Sequence, residues 1–246
     1  MERSAFIRFM SGHFTTRTAI IFLVMVMSVI GGCLSTSWML YESCNIGPPY
    51  SVFIHQISYL GDPEMNPCGA FLFTVALWTL AIAAIPLVLF YRRALAALKA
   101  KVAGVFAFFF GLSIPAMFAV GIVPSSLDPY VHLVTAAVAF GGAGLAYLLS
   151  GIGLITNKIH DHNEKIPIAL VIPFLAYIIF ITFGIAVQIY AYVEGLFYSS
   201  GETLLSFTLW EWLLFIAILG ICVATTFPLI QSRGSQASPN STKRSV

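Results

Sequence analysis

The sequence predicts an all-α polytopic membrane protein, a bundle of six transmembrane helices with an outer cap loop between helices 1 and 2. The first reason is composition, because 59% of the 246 residues are hydrophobic and only 9% are charged. A soluble domain carries about 25% charged residues, so this chain has too few polar side chains to cover a surface in water. The second reason is a set of six long apolar runs, and the third is the segregation of charge between them.

Each apolar run is long enough to cross a bilayer, which takes about 20 helical residues. Open strands would leave backbone groups unpaired in lipid, and the runs lack the two-residue alternation of barrel strands, so we predict helices. One transmembrane domain is expected over residues 18–230, between an N-terminal segment (1–17) and a tail (231–246) whose Ser, Gly, Asn and Pro content predicts disorder. The predicted spans are Thr18–Leu40, Gly69–Tyr91, Val102–Val123, Val131–Ile155, Ile166–Tyr192 and Leu209–Ile230.

All twelve Lys and Arg residues fall on one predicted side of the membrane, in the two terminal segments and in the second and fourth connections. Because short cytoplasmic loops retain Lys and Arg, both termini are predicted to be cytoplasmic. The rule is the same for plasma and internal membranes, so it does not say which membrane. A net charge of +2 is too small to predict a nucleic-acid partner. The other side carries Glu42, Asp62, Glu64, Asp128, Glu194, Glu202 and Glu211.

The cap loop is the first connection, Tyr41–Cys68, and is the longest segment predicted on the outer side. Its Pro and Gly residues predict an ordered, turn-rich structure rather than a helix. Cys44 and Cys68 both lie on this side, where an oxidising compartment would let them form a disulfide. Closing a loop of this size stabilises the fold by about 3 kcal/mol. Two unpaired thiols are the alternative in a reducing environment.

Two histidines and two aspartates are also predicted on the outer side. His55 and Asp62 lie in the cap loop, and Asp128 and His132 are four residues apart at the start of the fourth span, where they can share a helix face. One interpretation is structural, with His132 hydrogen-bonded at the helix entrance and His55 holding the cap loop on the bundle. The alternative is a zinc or acid–base site that activates water. The spacing matches no strong metal signature, so we favour the structural interpretation and expect no cofactor.

Three further features have both a structural and a functional interpretation. Glu211 stands between Trp210 and Trp212, which are typical of an interface, so its carboxylate is expected to reach water. The fourth span is crowded with small residues, which predicts close helix packing or, alternatively, a groove for an acyl chain or sterol. A cluster of basic residues beside the membrane either fixes topology or attracts anionic headgroups. That cluster is Arg92, Arg93, Lys99 and Lys101.

Several short motifs resemble the six-helix superfamily of the damage-regulated autophagy modulators (DRAM) and the GPI-anchor-maturation proteins. The form of the cap motif is most similar to the superfamily's bacterial and archaeal domain-of-unknown-function family, numbered nine-nine-eight. The resemblance implies six helices, both termini inside and a loose role in lipid remodelling, lipid-anchor maturation or trafficking. It implies no catalytic residue. The motifs are Pro49-Tyr50, His55 to Pro63, Asn66-Pro67, Phe71, Val120 to Pro124, His132-Leu133 and Phe140.

The sequence contains no Gly-x-Ser-x-Gly, His-Glu-x-x-His or P-loop motif. We therefore expect a protein that is not an enzyme and that binds or organises membrane lipids or assists a membrane complex, with lipids, a membrane protein or a second copy as partners. One alternative is a membrane-embedded, metal-dependent lipid hydrolase or transferase that uses His55, Asp62, Asp128 and His132. A second alternative is a small transporter, which the lack of charge in the membrane midplane disfavours.

Overall fold

The computed structural model describes residues 5–44, 49–160, 166–194 and 206–236. Six of its helices, α2 to α7, are long and apolar enough to span a membrane, so the predicted six-helix fold is confirmed. A short 3-10 helix, Ile57–Gly61, lies in the cap loop. The α-helices are α1 (Ala5–Met10), α2 (Thr16–Cys44), α3 (Ala70–Leu98), α4 (Ala100–Ile122), α5 (Pro129–His160), α6 (Ile168–Val193) and α7 (Phe207–Gln236).

Consecutive spanning helices run in opposite directions. Thr74, near the start of α3, donates its hydroxyl to the Gly121 carbonyl at the end of α4, at 2.9 Å. Gly151, late in α5, packs against Phe174, early in α6. The cap loop, the α4–α5 turn and the start of α7 therefore lie together at what we name the cap end. The opposite end, which we name the basic end, carries basic residues that include Arg8, Arg17, Arg92, Arg93, Lys99, Lys101 and Lys158.

The small residues of α5 let its backbone approach both neighbouring helices. A Cβ on Gly142 would lie 3.0 Å from the Phe109 carbonyl oxygen of α4, and one on Gly151 would lie 2.8 Å from Phe174 of α6. Side chains at these positions would push the helices apart, so glycine permits the contact. The packing interpretation of these residues therefore has direct structural support, and α5 lies between α4 and α6.

The described helix ends differ from the predicted spans. The helix α2 continues to Cys44 rather than Leu40, and α5 continues to His160. The last helix reaches Gln236, so residues 231–236, which we predicted as part of a disordered tail, are helical. Residues 237–246 lie outside the described part. Hydropathy marks the thickness of the hydrocarbon core, whereas helical hydrogen bonding continues into the interface, and this explains the extensions.

The sequence pattern also missed the short helix α1. It is too short to show a periodic pattern, and an aromatic cluster holds it against the bundle. Phe9 packs on Phe14 and Phe22 at ring-centroid distances of 5.3 and 5.1 Å, and Phe14 stacks on Phe90 of α3 at 5.1 Å. Gly12 has a φ of 75° in the turn after α1 and lies directly on the Phe90 backbone, where a Cβ would clash.

Candidate functional site

Cys44 and Cys68 form a disulfide, with their Cα atoms 6.2 Å apart. This is the pair that the sequence analysis named. Cys44 is the last residue of α2, and Cys68 lies two residues before α3 begins at Ala70. The bond therefore joins the first two spanning helices at the cap end. It holds the two ends of the cap loop together, so the loop is restrained at its base.

Two residues before Cys68, Asn66 of the cap loop forms a fully buried polar junction with Ser37 of α2. Asn66 Nδ2 lies 2.9 Å from Ser37 Oγ and 2.9 Å from the Leu60 carbonyl oxygen. Asn66 Oδ1 accepts the Gly69 amide at 3.0 Å. A Cβ on Gly69 would lie 2.7 Å from Asn66 Nδ2. The junction thus requires glycine at 69, and it satisfies the Asn66 side chain with protein groups.

Asp62 joins the cap loop to the turn between α4 and α5. Its Oδ2 accepts the Ser125 hydroxyl at 2.6 Å and the Ser126 amide at 2.8 Å, and its Oδ1 accepts the Glu64 amide at 3.0 Å. The residue is only 1% exposed. Burial raises the pKa of Asp62, but these hydrogen bonds outweigh burial and hold the pKa below its ordinary value. The carboxylate is therefore ionised, and three hydrogen-bond donors satisfy it.

Asp128 and His132 both organise the start of α5. Asp128 Oδ1 accepts the amides of Tyr130 and Val131 at 3.1 and 3.0 Å, which is the geometry of a helix N-cap. His132 Nδ1 lies 2.7 Å from the Val123 carbonyl oxygen. A carbonyl only accepts, so Nδ1 carries the proton and the contact ties α5 to the end of α4. Both residues therefore have structural roles at the α4–α5 turn.

His55 lies in an aromatic cluster. Its ring stacks on Tyr50 at a centroid distance of 5.3 Å and also contacts Tyr41 and Tyr59. Burial lowers the pKa of His55, which is 8% exposed. The Ser51 amide donates to His55 Nδ1 at 3.0 Å, so the neutral ring carries its proton on Nε2. In this tautomer neither nitrogen has a free lone pair for a metal ion.

The structure thus brings Asp62, Asp128 and His132 to the same turn, and leaves His55 with the tyrosines. Among the residues it describes, no group of three or more His, Cys, Asp or Glu side chains could hold a metal ion. Each of the four outer residues has a specific local hydrogen bond instead. This arrangement can orient the cap loop on the bundle.

Residues at the start of α7 also bind the cap loop, and the sequence did not indicate these contacts. We expected Glu211 to reach water, but its Oε2 lies 3.3 Å from the Ile57 amide, at the first residue of the 3-10 helix. Trp212 Nε1 donates to the Tyr50 hydroxyl at 3.2 Å. The Thr208 hydroxyl donates to the Phe53 carbonyl at 2.5 Å. Two tryptophans beside an acid are typical of a membrane–water interface in any sequence. Only the fold shows that the cap loop contacts this part of α7.

An open groove of about 480 Å³ lies at the basic end, where α4 packs on α5. We name this cavity the basic groove. Two lysines, from the α3–α4 connection and the first turn of α4, stand at its rim. Aliphatic side chains and one glycine from α4 and α5 form its wall. Its lining residues are Lys99, Lys101, Val102, Val105, Leu149, Gly153 and Asn157.

The absence of a side chain at Gly153 shapes this groove. A Cβ at Gly153 would lie 2.9 Å from Val102 Cγ2, so the two helices are in contact there. Asn157 Nδ2 donates to the Gly153 carbonyl at 2.6 Å, which turns the amide back onto its own helix. The sequence marked the basic cluster and the small-residue helix as separate features. The fold places Lys99 and Lys101 beside Gly153, which hydropathy alone does not predict.

The two ends therefore differ in what they can do. The cap end is a closed network of hydrogen bonds and one disulfide, and the basic end has an accessible cavity with cationic and apolar surfaces. Comparisons with protein-family models, with curated proteins and with solved structures found no significant match to this chain.

Proposed function

We propose that this protein is not an enzyme and that it binds and organises membrane lipid through the basic groove. The observation that carries the proposal is the groove itself, an open cavity of about 480 Å³ with an aliphatic wall and two lysines at the rim. Pockets that hold small molecules measure about 300–1,000 Å³. A lipid is the one abundant molecule in a membrane that offers an apolar chain and a polar headgroup together.

The hydrogen bonds of the aspartate and histidine side chains at the cap end support a role that is not catalytic. Asp62, His55 and His132 each have a hydrogen-bond partner that fixes the cap loop or the α4–α5 turn. The excess of Lys and Arg would place the basic end in the cytoplasm, so the groove would open to the inner leaflet. The resemblance to the DRAM-like superfamily, which remains a proposal, implies lipid-related functions and agrees with this reading.

The test is to fill the groove. Leu149 lines it and is 36% exposed, so Leu149→Trp adds bulk without displacing a buried residue. Leu145, one turn earlier on α5, is 42% exposed and does not line the groove, which makes Leu145→Trp the matched control. Lipid retained by each purified protein after detergent washing would be counted by native mass spectrometry.

We expect the wild type and Leu145→Trp to retain a bound lipid, and Leu149→Trp to retain at least about tenfold less, which corresponds to about 1.4 kcal/mol. Equal retention by the two tryptophan variants would overturn the proposal, because the groove would then not be where lipid binds. Size-exclusion profiles of both variants should match the wild type, since neither position is buried.

A further inference from the structure

We infer that protonation of His55 releases the cap loop from α7, so that the cap end contains a latch that opens in acid. The inference is separate from the basic groove and rests on the hydrogen bonds of residues 51–57, which we name the latch segment. Histidine is the side chain whose charge ordinarily changes between about pH 5 and 8. The excess of Lys and Arg at the basic end would place the latch segment away from the cytoplasm, where it would respond to the pH of that compartment.

The imidazole of His55 closes the turn in which it lies. The Ser51 amide donates to His55 Nδ1 at 3.0 Å. The Ser51 carbonyl accepts the amides of Ile54 and His55 at 3.1 and 2.7 Å. The turn therefore depends on a hydrogen-bond acceptor at Nδ1, and the ring is buried, so water has little access to replace that acceptor.

The latch segment also contains groups that bind α7. The Phe53 carbonyl accepts the hydroxyls of Ser206, immediately before α7, and of Thr208. The Ile57 amide donates to Glu211 Oε2 at 3.3 Å. These contacts lie within the turn that His55 closes and two residues after it. A change in the turn therefore displaces the groups that α7 binds.

Protonation removes the acceptor on which the turn depends. An imidazolium carries protons on both ring nitrogens, so the Nδ1 proton and the Ser51 amide proton would face each other as two donors. The Ser51 carbonyl offers little compensation, because it already accepts two amides. Burial also disfavours the cation and lowers the pKa of His55. The closed turn therefore binds a proton less readily than the open turn, and acid favours opening.

The groups around the ring do not supply a counter-charge for the cation. The ring contacts Tyr41 of α2 and Tyr50 and Tyr59 of the cap loop, and tyrosines are uncharged at and below neutral pH. Within the described part of the chain, no carboxylate pairs with His55. The acid of α7 that contacts the latch segment is Glu211, and it binds the Ile57 amide.

Hydrogen–deuterium exchange on the full chain in detergent tests the latch. Protection factors, corrected for the intrinsic pH dependence of exchange, would be compared between about pH 7.5 and about pH 5. The test variant is His55→Asn, because an asparagine Oδ1 can accept the Ser51 amide without titrating. The matched control is Glu211→Gln, which keeps an acceptor for the Ile57 amide and removes the acid that contacts the same segment.

We expect the protection of the latch segment in the wild type to fall below pH 6.5, by up to about tenfold per pH unit, which is the limit for one proton. Glu211→Gln should respond in the same way, and His55→Asn should not respond. The amides of Glu64 and Ser126, which the Asp62 carboxylate accepts, should stay protected in all three proteins.

An equal acid response in the wild type and in His55→Asn would overturn the inference. Loss of the response in Glu211→Gln would overturn it too, because the glutamate would then be the trigger. If His55→Asn opens the turn even at neutral pH, the wild type decides. A loss of protection confined to the latch segment would then support the inference, and an equal loss at Glu64 and Ser126 would refute it, because the whole cap loop would be unfolding.

Discussion

Asp62 shows how single residues hold the cap end together. Its carboxylate accepts donors from the cap loop and from the α4–α5 turn while being almost completely buried. A buried carboxylate is stable only when such donors satisfy it. The sequence identified Asp62 and His132 as candidates because they belong to the two histidines and two aspartates predicted on the outer side. It could not give Ser125 or Val123 as their partners, since those contacts depend on how the cap loop and the α4–α5 turn fold.

This arrangement predicts how stability depends on pH. The folded-state pKa of Asp62 is below its ordinary value of 3.8, so its contribution is complete above that pH and is lost as the pH falls through the folded-state pKa. Asp62→Asn should cost about 2 kcal/mol at neutral pH, and the difference from wild type should shrink in acid. Thermal unfolding in detergent across the acid range measures this difference.

The control for that experiment is Glu64→Gln, an exposed acid in the same loop whose side chain is outside the Asp62 network. The pKa of His55 is also lowered in the folded state, so stability linked to His55 falls as the pH drops below 6.5. His55 is present in all three proteins, and its effect cancels in the comparison. A difference between wild type and Asp62→Asn that does not change with pH would contradict the proposed role of the carboxylate.

At the scale of elements, α5 determines how closely the bundle packs. Its glycines face α4 and α6 at some positions and open space at others. Gly151 lies directly on Phe174, whereas a Cβ on Gly141 would meet nothing within 4 Å. Small residues at a helix interface permit backbone approach, and dispersion between the helices then stabilises the bundle. Replacing a glycine of α5 therefore lowers the stability of the protein by different amounts at different positions.

The matched pair Gly151→Leu and Gly141→Leu tests this difference. Gly151→Leu should destabilise the protein by about 1–3 kcal/mol, because the new side chain overlaps the Phe174 ring. Gly141→Leu should stay within about 0.5 kcal/mol of wild type. Denaturation in detergent, followed by circular dichroism, gives both values. If both variants lose the same stability, then helix approach at Gly151 is not what limits the substitution.

At the scale of the whole molecule, the sequence predicted the features that a bilayer imposes on any chain that crosses it. Only helices and closed barrels satisfy the backbone in a bilayer, and six apolar runs without the alternation of barrel strands are therefore helices. The segregation of charge predicted that successive helices alternate in direction. The basic groove was not predictable in this way. Every face of α4 and α5 is largely apolar, so hydropathy does not determine their rotation about the helix axes. The contact between Gly153 and Val102, which sets the shape of the groove, follows from that rotation.

Occupancy of the groove by lipid is the central claim, and photo-crosslinking tests it most directly. A phospholipid with a photoreactive acyl chain would be bound to the full chain in vesicles, and crosslinked residues would be identified by mass spectrometry. We expect crosslinks concentrated at Val105 and Leu149, with those at Val105 reduced in Leu149→Trp. Crosslinks spread evenly over exposed residues far from the groove, such as Val24 of α2 and Ile179 of α6, would contradict it.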